Sequence, residues 1–139
     1  MKTIIAGGRN ITKEQFDTAI GKFPYLHYIT EVVSGQAYGV DTFGEEWAKY
    51  NKIPIKPFPA EWRNFDLPMC VVKTNKFGYQ YNAAAGAYRN KLMAEYADQL
   101  ILIYDGKSTG SSDMLQRAKQ NNLKIWIYDT SDDFVFTNM

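Results

Sequence analysis

Three glycine-containing segments stand directly after short apolar runs, and each leads into a helical pattern. Gly7-Gly8-Arg9 follows Thr3-Ile4-Ile5-Ala6, and Ser34-Gly35-Gln36-Ala37-Tyr38-Gly39 follows Thr30-Glu31-Val32-Val33. Asp105-Gly106-Lys107-Ser108-Thr109-Gly110 follows Leu100-Ile101-Leu102-Ile103-Tyr104. A helix start offers unpaired N–H groups and a partial positive charge, and glycine lets a ligand approach the backbone closely. Two of the three segments also carry a cation, Arg9 and Lys107. The chemistry such segments can do together is anion binding, phosphate above all. One such loop alone is ordinary turn punctuation. Three of them on one edge of a sheet make a ligand site. Arg89, at the start of a further helical stretch, adds a guanidinium whose planar fork suits bidentate phosphate recognition.

Two familiar nucleotide motifs are excluded. Gly106-Lys107-Ser108 resembles the end of a P-loop, but that loop needs another glycine five positions earlier, and residue 101 is Ile. The dinucleotide pattern G-x-G-x-x-G is absent after the first apolar run. No cofactor is expected. One His and one Cys cannot supply a His/Cys zinc site, so no metal site is expected either.

The elements that must position these loops alternate. Apolar runs at 3–6, 30–33, 53–58, 99–104 and 123–128 read as strands, the third weakened by Pro54 and Pro57 toward a sheet edge. Thr12 caps a helix with Phe16, Ala19, Ile20 and Phe23 on its apolar face. Phe43, Trp47 and Tyr50 mark the face of the next helix. Leu92, Met93, Tyr96 and Ala97 mark a third, and Met114, Leu115 and Ala118 a fourth. Residues 60–81 show no sustained period and read as an irregular insert, rich in aromatic residues that can either stack a base or pack the loop down. Residues from 129 onward read as a short acidic surface tail.

Alternation of this kind predicts a single α/β domain over residues 1–139, a Rossmann-like, doubly wound, mainly parallel five-stranded sheet with helices on both faces. The 53–58 strand should lie outside the 30–33 strand. Right-handed crossovers put the loops after each strand on one edge, and ligands bind there where the strand order reverses. That point falls between the 3–6 and 99–104 strands. The helix carrying Arg89 runs back across the sheet, so its start reaches this edge only if the insert delivers it there.

With 139 residues, 16 Lys+Arg, 15 Asp+Glu and a formal charge of +1, the chain lacks the broad basic face that nucleic-acid binding uses. No apolar stretch approaches the about 18 residues of a membrane span. The apolar stretch after Lys2 is too short for a signal peptide, and a single cysteine suits a reducing compartment, so a cytoplasmic location is expected.

Ala6-Gly7-Gly8-Arg9, Ser34-Gly35-x-x-x-Gly39-x-Asp41-x-x-Gly44-Glu45, Gly86-x-x-Arg89-Asn90-x-x-Met93-Ala94-x-x-Ala97-Asp98 and Asp105-Gly106-Lys107-Ser108-x-Gly110 together resemble the YspA-like branch of the SLOG superfamily. That superfamily is related to LOG-type phosphoribohydrolases and to DprA/SMF Rossmann-like domains. The resemblance runs from about residue 3 to residue 128. It implies a Rossmann-like domain that binds a nucleotide or nucleotide-derived phosphorylated ligand. The expected binding set is Gly7, Gly8, Arg9, Ser34, Gly35, Gly39, Asp41, Arg89, Asn90, Asp105, Gly106, Lys107, Ser108, Gly110 and Ser111.

The resemblance also implies candidate chemistry and partners. LOG-type enzymes cleave the N-glycosidic bond of nucleoside monophosphates; their Arg-Lys-x-x-Met segment is similar to residues 89–93 and their glycine-rich loop to residues 106–113. Bond cleavage builds positive charge on the ribose, which a carboxylate can stabilise, and Asp113 and Glu45 are the candidates. Asp113 occupies the place of a catalytic Glu, and the glycine pair of that loop is broken here by Lys107-Ser108. Equally, Asp41, Glu45 and Asp113 lie where an acid simply complements a helix dipole. Ligand sensing, ligand sequestration and hydrolysis all stay open. Some superfamily members bind single-stranded DNA, but the near-neutral charge counts against nucleic acid as a partner. A homo-oligomer, dimer or higher, with sites near subunit boundaries is expected, with no membrane partner.

Overall fold

A computed structural model describes all residues from 1 to 139. The apolar runs form strands β1 (Lys2–Gly7), β2 (Glu31–Ser34), β3 (Ile55–Pro57), β6 (Gln99–Tyr104) and β7 (Lys124–Asp129). All are parallel, in the order β3-β2-β1-β6-β7. The doubly wound, Rossmann-like arrangement expected from the alternation is therefore present, with the reversal point between β1 and β6. The sheet has six strands rather than five. The stretch read as an acidic surface tail turns at Asp133 and returns as β8 (Phe134–Thr137), antiparallel to β7.

Two helices cover each face, and residue alternation decides which. Ile5, Val32, Ile101 and Ile103 point to one side, where they meet Phe16, Ala19 and Ile20 of α1 (Lys13–Lys22) and Val40 and Ala48 of α2 (Val40–Tyr50). Ile4, Val33, Leu100 and Leu102 point to the other, against Met93 and Ala94 of α3 (Ala85–Tyr96) and Met114 and Ala118 of α4 (Thr109–Gln120). Such period-2 alternation in strands buried on both faces is what lets one apolar run serve two cores. Thr12 caps α1 through a reciprocal capping box with Gln15. On α2 the buried stripe is Val40, Asp41, Gly44 and Ala48, with Phe43 and Trp47 half-buried beside it. Tyr50, expected on that face, is 89% exposed because the helix ends as the chain turns toward β3.

The insert is more ordered than its lack of period implies. It carries a hairpin of β4 (Val72–Thr74) and β5 (Gln80–Asn82), closed by a turn in which Asn75 accepts from Phe77 and Tyr79. Its organiser is Asn82, fully buried. Its backbone N–H donates to the Trp62 carbonyl, its Nδ2 to the Asn64 carbonyl, and its Oδ1 accepts from Val71 and Ala84. These bonds place the chain so that α3 starts three residues later, at the edge where β1 and β6 end. No helix is long and apolar enough to cross a membrane.

Candidate functional site

The loops after β1, β2 and β6 converge on the reversal point, and packing ties each to the others. Gly39 takes φ +83°, and a Cβ there would lie 2.7 Å from the Gly8 carbonyl oxygen and 2.9 Å from the Arg9 Cα. A side chain at 39 would thus separate the β2–α2 loop from the Gly7-Gly8-Arg9 turn. A Cβ on Gly35 would meet the Arg89 guanidinium and, at 2.9 Å, the Asp41 carboxylate. Both glycines are there because other groups occupy the space a side chain would need.

Arg89 projects from the second turn of α3 into this junction. Its Nη1 donates to the Gly35 carbonyl, and its Nε donates to Asn90 Oδ1 at 3.0 Å. Burial pulls its pKa below the usual guanidinium range, and the carboxylates of Asp41 and Asp113 act in the opposite sense. Asn90, itself buried, turns its Nδ2 toward α4, reaching Asp113 Oδ2 at 3.0 Å and the Gly110 carbonyl at 3.4 Å. One Arg–Asn pair thus links the β2–α2 loop to the start of α4.

Asp41 is the buried acid of the site. It is 6% exposed, and its Oδ2 accepts from the Ala37 N–H at 3.2 Å. Burial pushes its pKa up to about 6, against the lowering effects of that hydrogen bond and of Arg89. Arg9 adds a smaller lowering effect.

At the start of α4, Ser108 caps the helix, its Oγ accepting from the Ser111 N–H at 3.2 Å. The earlier N–H groups of Thr109 and Gly110 have no acceptor one turn back within the helix. Ser111 Oγ is buried and has no hydrogen-bond partner, although its residue is only 4% exposed. The residue Ser111 lines a small cavity of about 100 Å³ together with Gly7, Arg9, Asp41, Arg89 and Asn90. A water's share of liquid volume is roughly 30 Å³, so the space admits a compact polar group. A wider cleft of about 660 Å³ adjoins it, lined by Arg9, Trp62, Lys107, Ser108 and Asp113 among others.

The sequence-expected residues sort into three groups. Gly7, Arg9, Asp41, Arg89, Asn90, Ser108, Gly110 and Ser111 are brought together around the small cavity. Lys107 and Asp113 face the wider cleft, Gly35 borders a neighbouring one, and Gly8 and Gly39 shape the turn beside it. Ser34, Glu45, Asp105 and Gly106 do other work. Ser34 is buried and donates to Glu45 Oε2 at 2.6 Å, so each occupies the other. Asp105 accepts from the Lys107 N–H at 3.0 Å, which with Gly106 at φ +86° forms the turn into α4. Asp113 is held by Asn90 and by Arg117, whose Nε lies 3.2 Å away. Nothing in the sequence points to Asn82, and the insert aromatics, Trp62 among them, could either stack a base or pack the loop down. Asn82 carries no periodic signal, because its role is to satisfy loop backbone.

No protein-family model matches the chain, and no curated protein matches it. A solved structure of DNA processing protein A (DprA) from Streptococcus pneumoniae has the same fold, with a TM-score of 0.65 at 19% sequence identity. The likeness covers 91% of this chain and 49% of that one, so the chain spans about half the length of DprA. At that identity the shared property is the fold itself: a Rossmann-like α/β sheet flanked by helices.

Proposed function

We propose that this chain is a SLOG-type, YspA-like domain that binds a phosphorylated, nucleotide-type ligand at the C-terminal edge of its sheet. The observation that carries the reading is a small cavity lined by Arg9, Arg89, the start of α4 and Ser111, whose buried Oγ has no partner. Buried hydroxyls are nearly always hydrogen-bonded, and an orphan at a helix N-terminus among cations calls for an anionic oxygen. The ligand-binding roles follow from position. The Thr109 and Gly110 N–H groups and Ser111 take the phosphate oxygens. Arg89 supplies the charge, held in place by Gly35 and Asn90, and Lys107 and Arg9 line the approach.

Hydrolysis of the N-glycosidic bond is the second reading, and Asp113 favours it by facing the wider cleft. Its bonds to Asn90 and Arg117 hold it oriented, as a carboxylate stabilising a ribosyl cation must be. Single-stranded nucleic acid is a further ligand class, implied by the superfamily resemblance, and the structural neighbour is a DNA processing protein; a phosphodiester oxygen would use the same cradle.

Calorimetric titration with AMP and with adenosine tests the main reading. AMP binding with adenosine at least about tenfold weaker, a gap of about 1.4 kcal/mol, supports it. Equal affinities, or no binding of AMP, would sink it. Chromatography of the same mixtures for free adenine tests hydrolysis. Base release that Asp113→Asn abolishes while AMP binding survives supports an enzyme; no release leaves a binding protein.

A further inference from the structure

We infer that Trp62 is the platform on which the flat heteroaromatic part of the ligand stacks. This rests on the phosphate reading above and adds where the base goes and which residue recognises it. The chain has three tryptophans. Trp126 is core, packed edge-on against Phe23 and stacked with Tyr128. Trp47 is half-buried against the α1–α2 core. Trp62 differs from both in being 42% exposed, and it pairs with no other aromatic ring and no cation.

Its position is fixed from two sides. The Trp62 carbonyl accepts from the N–H of Asn82, the buried organiser of the insert. The outer edge of its six-membered ring lies over Gly86 in the first turn of α3, where an added Cβ would stand 3.2 Å from Cη2 and 3.7 Å from Cζ2. The same point lies 3.9 Å from Arg89 Nη2. Ring edge and guanidinium therefore converge over one notch, where a side chain at position 86 would crowd the ring. From there Trp62 borders the wide cleft shared with Arg9, Lys107 and Ser108, and also the neighbouring cleft lined by Gly35 and Tyr38.

An exposed aromatic ring beside a cluster of cations recognises a particular chemistry. The ring takes a π-face and the cations take an anion, so the fitting ligand carries both: a nucleobase on a phosphorylated ribose. A sugar phosphate without a base would use only half of this surface. Stacking on a tryptophan is tolerant of base identity, so the platform selects for a base without choosing among bases.

Titrating wild type, Trp62→Phe and Trp62→Ala with AMP and with ribose 5-phosphate tests the inference. Wild type should bind AMP more tightly than ribose 5-phosphate. Trp62→Ala should weaken AMP by about 5- to 150-fold, the value of one stacked base, and leave ribose 5-phosphate unchanged. Trp62→Phe should retain most of the AMP affinity. Unchanged ribose 5-phosphate binding also certifies that the alanine variant is folded at the site. AMP should quench tryptophan fluorescence in wild type and not in Trp62→Phe. The inference is overturned if Trp62→Ala leaves AMP unaffected or weakens both ligands equally. It is overturned alone, with the phosphate reading intact, if wild type binds ribose 5-phosphate as tightly as AMP. Binding of neither ligand removes the phosphate reading and the platform with it.

Discussion

The two ends of the sheet contain similar ingredients and differ in whether their polar groups are answered. At the end where the parallel strands begin, a cavity of about 480 Å³ is lined by Tyr25, Tyr28, Lys124 and Met139 among others. Several polar groups in and beside it are answered within the protein. The Met1 nitrogen donates to the Tyr28 carbonyl at 2.5 Å, the Lys2 N–H to Asp98 Oδ2 at 2.9 Å, and the buried Gln99 Nε2 to Thr3 Oγ1 at 2.7 Å. At the end where the strands finish, the residues around the smaller cavity include one with an orphan hydroxyl, a desolvated guanidinium and a buried acid. Unmet polar demand, more than empty volume, separates a binding site from a crevice. Buried groups without partners cost stability, and a fold carries that cost where a ligand relieves it.

The contrast breaks most visibly at Arg89. Arg89→Ala should weaken a phosphorylated ligand by about 10- to 150-fold, since a charged hydrogen bond contributes about 1.5–3 kcal/mol. The matching unphosphorylated nucleoside should lose much less. Gln99→Met at the opposite end should leave binding unchanged and lower stability by about 1 kcal/mol. Calorimetry on the two variants checks the pair, and equal losses for nucleotide and nucleoside in Arg89→Ala would reassign Arg89 to the fold.

Asp41 gives the next effect, through pH. Folding raises its pKa from 3.8 to about 6, so the native state holds more protons than the unfolded state between those values. Stability from this group is therefore present at low pH and lost as pH rises through that window, by up to about 3 kcal/mol. Urea denaturation at pH 4 and pH 7 should show Asp41→Asn gaining on wild type by that order as pH rises. A constant difference would mean that the carboxyl is solvated and the two ends of the sheet are alike in this respect.

Ser111 gives the smallest effect and the sharpest sign. Ser111→Ala removes an unpaired buried hydroxyl and should leave the free protein as stable as wild type or more stable by about 1 kcal/mol. The same change should weaken a phosphorylated ligand by roughly 13-fold, the lower end of the about 1.5–3 kcal/mol range for a hydrogen bond to a charged oxygen. Thermal melts with and without AMP read both. A loss of stability in the free protein would show that the hydroxyl already has a partner.

Much of this was legible in the residue order. The apolar runs gave the strand order β3-β2-β1-β6-β7 because parallel strands buried on both faces must be continuously apolar, and right-handed crossovers leave few ways to arrange them. Once that order held, the glycine loops after β1, β2 and β6 had to share an edge. Legibility ended where local pattern and tertiary role part. β8 went unread because an acidic tail hides an alternation in which only Val135 packs inward. The first half of α3 went unread because its buried stripe includes Ala85 and the polar Asn90, and so lacks an apolar period.

The sequence by itself determined the doubly wound sheet and the edge at which its glycine loops gather, since both follow from short-range periodicity and chain handedness. Only the tertiary structure decided which site residues meet. Asn82 satisfies the insert backbone and so carries α3 to that edge. Asn90 then joins Arg89 to the start of α4 across 23 residues to Asp113, and Ser34 draws Glu45 away into a bond of its own. Most of these are single hydrogen bonds between residues 11 or more apart in the chain. No spacing rule encodes them, because their geometry exists only after both cores have closed on the sheet.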